Sequence, residues 1–302
     1  MVKMTTLSLP VNQYVSEKSL AIPYKKLNSE FQRAYDDVRK LLENFETGKI
    51  DRPILSKPNS NTKLSKETER TKNFKLYSLF LAPAGSSGYN TCAWSSPDCV
   101  KLCLNTSGRG AMESVQKARI SKTAYMVEHP YAFMWSLLFE MNSAMRSAWK
   151  NKDFIAIRLN GTSDIPWESA APFLEDFCVN GDYKDSVKAT RKYPRFYLYD
   201  YTKSYARAIK SLPWYDMTFS YSGYNWKECK SVLDNKTARV AVVFKDFIPE
   251  EYEGYEVING DLDDYRFLDR KGLIVGLKYK DTGRENGKIV SEDSSLKFVI
   301  RQ

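Results

Sequence analysis

The chain has 302 residues, 42% of them apolar, which is enough for one large folded unit with its own core. No apolar run reaches the ~18 residues of a membrane-spanning helix, and the first residues lack an apolar stretch ending in a small-residue cleavage site, so neither a membrane span nor a secretory signal is expected. Lysine and arginine number 46 against 37 acidic residues, a net charge of +9 that favours a polyanionic partner, most simply nucleic acid.

Residues 28–47 place Phe31, Ala34, Val38, Leu41, Leu42 and Phe45 at three- and four-residue steps, which predicts an amphipathic helix capped by Asn28 or Ser29. Residues 50–73 are polar with two prolines and read as a linker. The division expected is therefore an N-terminal helical extension and linker over 1–73 and a catalytic α/β unit over 74–302.

That unit opens on a strand-like run at 75–84. Helical patterns follow at 110–128 and 131–149, separated by His129-Pro130. Runs rich in β-formers then occupy 153–160, 195–202, 216–223, 238–245, 255–261 and 273–280, with helix-like stretches at 167–178 and 203–211. Strands alternating with helices predict a parallel sheet, and no glycine-rich dinucleotide fingerprint follows the first strand. The expected fold is α/β, an irregular (β/α) TIM-like barrel carrying a Cys-rich metal-binding insertion.

Several β-runs end on polar residues. Asn160 leads into Gly161-Thr162-Ser163-Asp164, Asp200 stands ahead of Tyr201-Thr202-Lys203, and Ser220 and Asp261 close two further runs. In a (β/α) barrel, this C-terminal strand edge is where active sites are built. Alternation along 153–160 puts Arg158 and Asn160 on one face and Ile157 and Leu159 on the other. The plainer alternative is that such residues cap helices and form turns.

The sharpest chemical signal is Cys92-x6-Cys99-x3-Cys103, three thiols in twelve positions. Five cysteines in all, an odd number, do not make an extracellular disulfide framework, whereas clustered thiolates suit zinc or an iron–sulfur cluster in a reduced compartment. The chain's one histidine, His129, is the candidate fourth ligand for zinc, which puts the metal site at 92–129. The alternative is a [4Fe–4S] cluster on the three cysteines with one iron open, as in radical chemistry with S-adenosylmethionine, although the spacing departs from CxxxCxxC. Cys178 and Cys229 read as core residues.

Cys-x3-Cys followed by twenty-five residues and a histidine resembles the end of the zinc motif CxCxxCx25H of tRNA-guanine transglycosylases; the first cysteine intervals differ. The segments LNTSGRG (104–110), RLNGTSD (158–164), YDYTKS (199–204), VAVVF (240–244) and NGDLDDYRFLD (259–269) resemble an uncharacterised phage protein family. The chain is on this basis similar to the phage DNA transglycosylases that insert 7-deazaguanines, the DpdA-like branch of that superfamily. The resemblance implies exchange of guanine in DNA for a 7-deazaguanine base of the preQ0 type, through an aspartyl–glycosyl intermediate. It implies a nucleophile among Asp164, Asp261 and Asp200, with the first two favoured, and substrate contacts from Asn160, Arg158, Ser220 and Lys203. It also implies zinc on Cys92, Cys99, Cys103 and His129, a flipped-out DNA base, and a place in the cytoplasm, that of the host if the chain is phage-encoded. A non-catalytic, metal-stapled nucleic-acid-binding protein is the remaining alternative.

Overall fold

Alternation of β-branched and aromatic runs with amphipathic segments resolves into one large, mostly parallel sheet. The computed structural model describes residues 53–58, 60, 68, 70–171, 173–179, 196–210, 212–280, 284–285, 288–289 and 296–301. The amphipathic helix expected at 28–47 lies outside the described residues.

The parallel core of the sheet comprises β2 (Phe74–Leu79), β3 (Phe154–Arg158), β4 (Phe196–Thr202), β5 (Tyr215–Ser220) and β6 (Arg239–Phe244), side by side in chain order. Next to β6 comes β9 (Ile274–Lys278), and then β8 (Tyr255–Asn259), both still parallel. Short antiparallel strands close the two margins, β1 (Leu55–Ser56) against β2 and β7 (Glu251–Tyr252) against β8. A further strand, β12 (Val299–Ile300), runs parallel to β6, and β10 (Arg284–Glu285) and β11 (Lys288–Ile289) form a separate pair. Among the described residues the sheet has ten strands and two edges, and the closed barrel expected from the sequence is not what they form.

The β1 edge corrects the reading of 50–73 as linker only. Ile54 and Leu55 are buried, and their backbone N–H groups donate to the Glu140 carboxylate at 2.7 and 2.9 Å.

Before the first crossover comes α1 (Pro97–Lys101), on which Ser96 is the N-cap, its hydroxyl accepting the Cys99 N–H at 3.2 Å with Pro97 at the first turn. The crossover itself is made by α2 (Glu113–Glu128) and α3 (Pro130–Asn151). Phe133, Leu137, Met141, Ala144, Met145 and Ala148 recur along α3 at three- and four-residue steps, and all are buried against Ile155, Ile157 and Leu159 of the β3 run. The remaining helices are α4 (Trp167–Ala170), α5 (Phe173–Val179), α6 (Tyr205–Ile209) and α7 (Trp226–Asp234). On α7, Cys229, Val232 and Leu233 pack against Val240, Val242 and Phe244 of β6.

The opposite face of the sheet is covered differently. There Leu76, Ala156, Tyr199 and Tyr201 meet Tyr265 and Phe267, brought across by the segment that follows β8. Tyr197 stacks on Phe267 with ring centroids 4.4 Å apart. Asp264 of the same segment accepts from Arg158 at 2.9 Å, Tyr199 at 3.2 Å and Tyr201 at 3.3 Å. Toward the C-terminal ends of the strands this face is left open as a cavity.

Candidate functional site: a thiol-lined cavity at the strand ends

The cavity, about 210 Å³, sits where the parallel strands end. Arg158 from β3, Tyr201 from β4 and Lys203 just past it, Ser220 from β5 and Tyr221 just past it, and Tyr279 beyond β9 form its base and walls. The loop that follows β2 supplies the other side, and this loop carries Cys92, Cys99 and Cys103, all three on the cavity. Phe298, just ahead of β12, completes the wall.

Period-2 alternation explains which strand residues arrive there. Ile155 and Ile157 of β3 face the helices, so Ala156 and Arg158 face the cavity side; in β4, Tyr199, Tyr201 and Lys203 follow the same rule. Gly161 lets the β3 turn pass close to β2: its N–H reaches the Leu79 carbonyl at 3.0 Å, and a Cβ there would stand 2.7 Å from that oxygen.

All three thiols are free and half-buried. Burial pushes the Cys92 and Cys103 thiols above their ordinary pKa. The Lys203 ammonium is drawn down by burial, but Cys99 and Asp164 outweigh that and hold it above its usual value. Among the described residues, no three His, Cys, Asp or Glu side chains are gathered to hold a metal ion as they stand. His129 does not join the cysteines. It ends α2, against the ring of Tyr125, whereas the start of that helix is next to the cysteine loop: Gln116 and Arg119 bond Asn105, two residues beyond Cys103. Ten residues of helix separate Arg119 from His129, roughly 15 Å at 1.5 Å per residue.

The three aspartates expected at the strand ends fall into different environments. Asp164 lines the cavity but is locked in place, accepting Arg207 Nη1 at 2.7 Å and the Lys203 backbone N–H at 2.8 Å. Arg207 in turn grips Glu168 through Nε at 2.7 Å and Nη2 at 2.8 Å. Burial raises the Asp164 pKa in spite of the neighbouring Arg207. Asp200 is fully buried and does not line the cavity. It accepts the Asn160 N–H at 2.7 Å, the Asn160 amide at 3.1 Å and the Tyr215 hydroxyl, and burial raises its pKa to about 7. Asp261 lines the cavity and is partly exposed, with the Lys278 N–H at 2.9 Å and the Lys280 ammonium at 3.8 Å.

Of the expected substrate contacts, Arg158, Lys203, Ser220 and Asn160 all reach the cavity wall. The Asn160 amide, however, is occupied in shaping the turn. Its Oδ1 accepts from Ser163, the Ile165 N–H and Trp167 Nε1, and its Nδ2 donates to Ile165 O and to Asp200. Arg158 lies over the Tyr201 ring at 4.4 Å, and its buried Nε has no hydrogen-bond partner among the described residues. Residues that sequence reasoning did not single out are the ring walls Tyr221, Tyr279 and Phe298, and Arg207, which holds Asp164. Tyr221 and Tyr279 lie near the ends of the β-runs read at 216–223 and 273–280, which was the available signal; nothing local marks Phe298 or Arg207.

Among the described residues, no helix is long and apolar enough to cross a membrane. Comparison with curated proteins and with solved structures gives no match. The model of one family, GP88, gene product 88, matches residues 53–297, and the chain belongs to that family.

Proposed function

We propose that the protein is an enzyme whose active site is the strand-end cavity, working with an iron–sulfur cluster on Cys92, Cys99 and Cys103. The observation that carries this reading is that all three thiols line the same cavity as Arg158 and Lys203, with His129 elsewhere. A closed, four-ligand structural zinc site fits this donor set poorly, because His129 lies elsewhere and the cavity's carboxylates are engaged, Asp164 by Arg207 and the Lys203 N–H and Asp261 by the Lys278 N–H and Lys280. Three thiolates facing a substrate-sized space fit a cluster with one iron left without a protein ligand. Such a cluster supplies one-electron chemistry at that iron when bound. Binding requires the thiols to converge by side-chain rotation and to lose their protons.

The chain's own residues have separable roles here. Lys203, beside Cys99, offsets thiolate charge and is held in position through its backbone N–H by Asp164. Tyr201, Tyr221, Tyr279 and Phe298 give the cavity apolar walls that suit a flat ring and exclude water. Sequential winding from β2 to β6, with the cysteine loop directly after the first parallel strand, supports reading the open sheet as an incomplete (β/α) barrel, whose function gathers at this edge. Free thiols and a cluster both call for a reducing compartment, the cytoplasm.

A second reading is base exchange in DNA, guanine for a 7-deazaguanine. It is supported by Asp261, a partly exposed strand-end carboxylate on an aromatic-walled cavity, in a chain of net charge +9. Asp164 and Asp200 are poor nucleophiles in comparison, since both are spent on buried partners.

Anaerobic purification separates the two readings. The cluster reading expects a coloured protein that bleaches on reduction, with colour lost in Cys99→Ser. Colourless, zinc-loaded protein that incorporates labelled guanine into DNA, and loses this in Asp261→Ala, would replace it with the second.

A further inference from the structure

The cysteine loop also grips the C-terminal end of the described chain. Asp98, immediately before Cys99, is buried, and its Oδ2 accepts the backbone N–H of Lys297 at 2.7 Å and of Phe298 at 3.2 Å. Its Oδ1 accepts the Tyr224 hydroxyl at 3.2 Å. Leu102, immediately before Cys103, packs with Leu296 and Val299 in a small buried cluster. Two residues interleaved with the cysteines thus hold one short segment, one by charge-assisted hydrogen bonds and one by apolar contact.

That segment fills a gap the fold leaves. β5 pairs with β6 only as far as Ala241, and beyond it β12 takes the same side of β6, at Val243 and Phe244. Phe298 thereby becomes a cavity wall, with the Lys203 ammonium 5.6 Å from its ring. The fit is close: Gly223, at φ +95°, lies so near that a Cβ there would stand 2.9 Å from the Phe298 nitrogen. Ser96 fastens the same region from the loop side, donating to the Ser222 carbonyl at 2.8 Å.

We propose that Asp98 is a positioning residue that couples metal binding by the cysteine loop to closure of the cavity by residues 296–300. The inference rests on the reading of Cys92, Cys99 and Cys103 as metal ligands. Drawing the three thiols together fixes the backbone of α1, which fixes the Asp98 carboxylate, and that carboxylate holds the segment carrying Phe298. The coupling is reciprocal: whatever the metal adds to docking of the segment, docking adds to metal affinity.

Amide hydrogen exchange at Lys297 and Phe298 tests this on the full-length protein, loaded with iron and sulfide or stripped with a chelator, taking β4 and β5 amides as the internal reference. Exchange at these two amides is expected to be roughly tenfold slower in the loaded protein, the scale of a hydrogen bond to a charged acceptor. Asp98→Asn, whose amide keeps one acceptor oxygen, should lose that difference and hold metal less tightly by a similar factor in equilibrium competition with a chelator. Tyr224→Phe, which deletes only the hydroxyl on Oδ1, should shift both readouts in the same direction by less, and serves if Asp98→Asn folds poorly. Equal exchange in loaded and stripped protein overturns the coupling, as does a loss of protection spread evenly over β4 and β5. A chain that takes up no metal overturns the underlying reading, and this inference with it, and is told apart by metal analysis of the same sample.

Discussion

The Asp164 carboxylate receives the Arg207 guanidinium at 2.7 Å on one oxygen and the Lys203 backbone N–H at 2.8 Å on the other. A strand-end aspartate that sequence alone casts as a nucleophile is thus the link that fixes Lys203 beside the thiols. Both members of the pair are nearly inaccessible to solvent. Removing Arg207 leaves Asp164 and Glu168 both buried without their cation, which costs about 3–5 kcal/mol in comparable pairs, whereas Arg207 keeps Glu168 when Asp164 is removed.

Arg207→Ala is therefore expected to destabilise the protein by roughly that amount in urea unfolding and Asp164→Ala by less, with the double variant costing clearly less than the sum. An additive double variant would show that the two side chains act independently.

Gly161→Ala is expected to cost about 1–3 kcal/mol, because the added methyl meets the Leu79 carbonyl and the Phe80 ring at the point where β3 turns over β2. A chemical-denaturation midpoint equal to that of the wild type would mean that the β2–β3 junction relaxes freely.

Asp200 makes stability depend on pH in a definite direction. Its folded pKa, raised to about 7 by burial, lies above the ordinary carboxylate value of about 4. The folded state thus binds the Asp200 proton more tightly than the unfolded chain does. The associated stabilisation is complete below about pH 4 and is lost as pH rises through about 7. In Asp200→Asn, thermal stability should change less between about pH 5 and about pH 8. A variant whose pH profile parallels the wild type would remove Asp200 as the source.

The parallel strands were legible because their signal is local. Runs such as RVAVVF and FYLYDYT are mostly apolar or aromatic, bounded by polar turns, and their observed limits fall within a residue or two of the expected ones at most ends. The clustered cysteines were legible for the same reason. What local sequence could not show is set by partners far along the chain. Leu55–Ser56 sits in a polar stretch and becomes a strand because Glu140, some 85 positions away, takes two of the neighbouring N–H groups. Val299–Ile300 is placed by β6 and by Asp98. The barrel expectation failed at a similar distance: β8 lies outside β9 and ends at β7, so the chain makes an edge where closure was expected. The His129 expectation rested on sequence interval, and the sixteen-residue helix Glu113–Glu128 carries that residue away from the loop.

The most direct test of the account is the iron, acid-labile sulfide and zinc content of protein purified without oxygen, for the wild type and for Cys99→Ser. The wild type is expected to hold about four iron and four sulfide per chain, the composition of a [4Fe–4S] cluster, with little zinc, and the variant to lose nearly all its iron. One zinc per chain and no iron, or iron retained undiminished by Cys99→Ser, would contradict it.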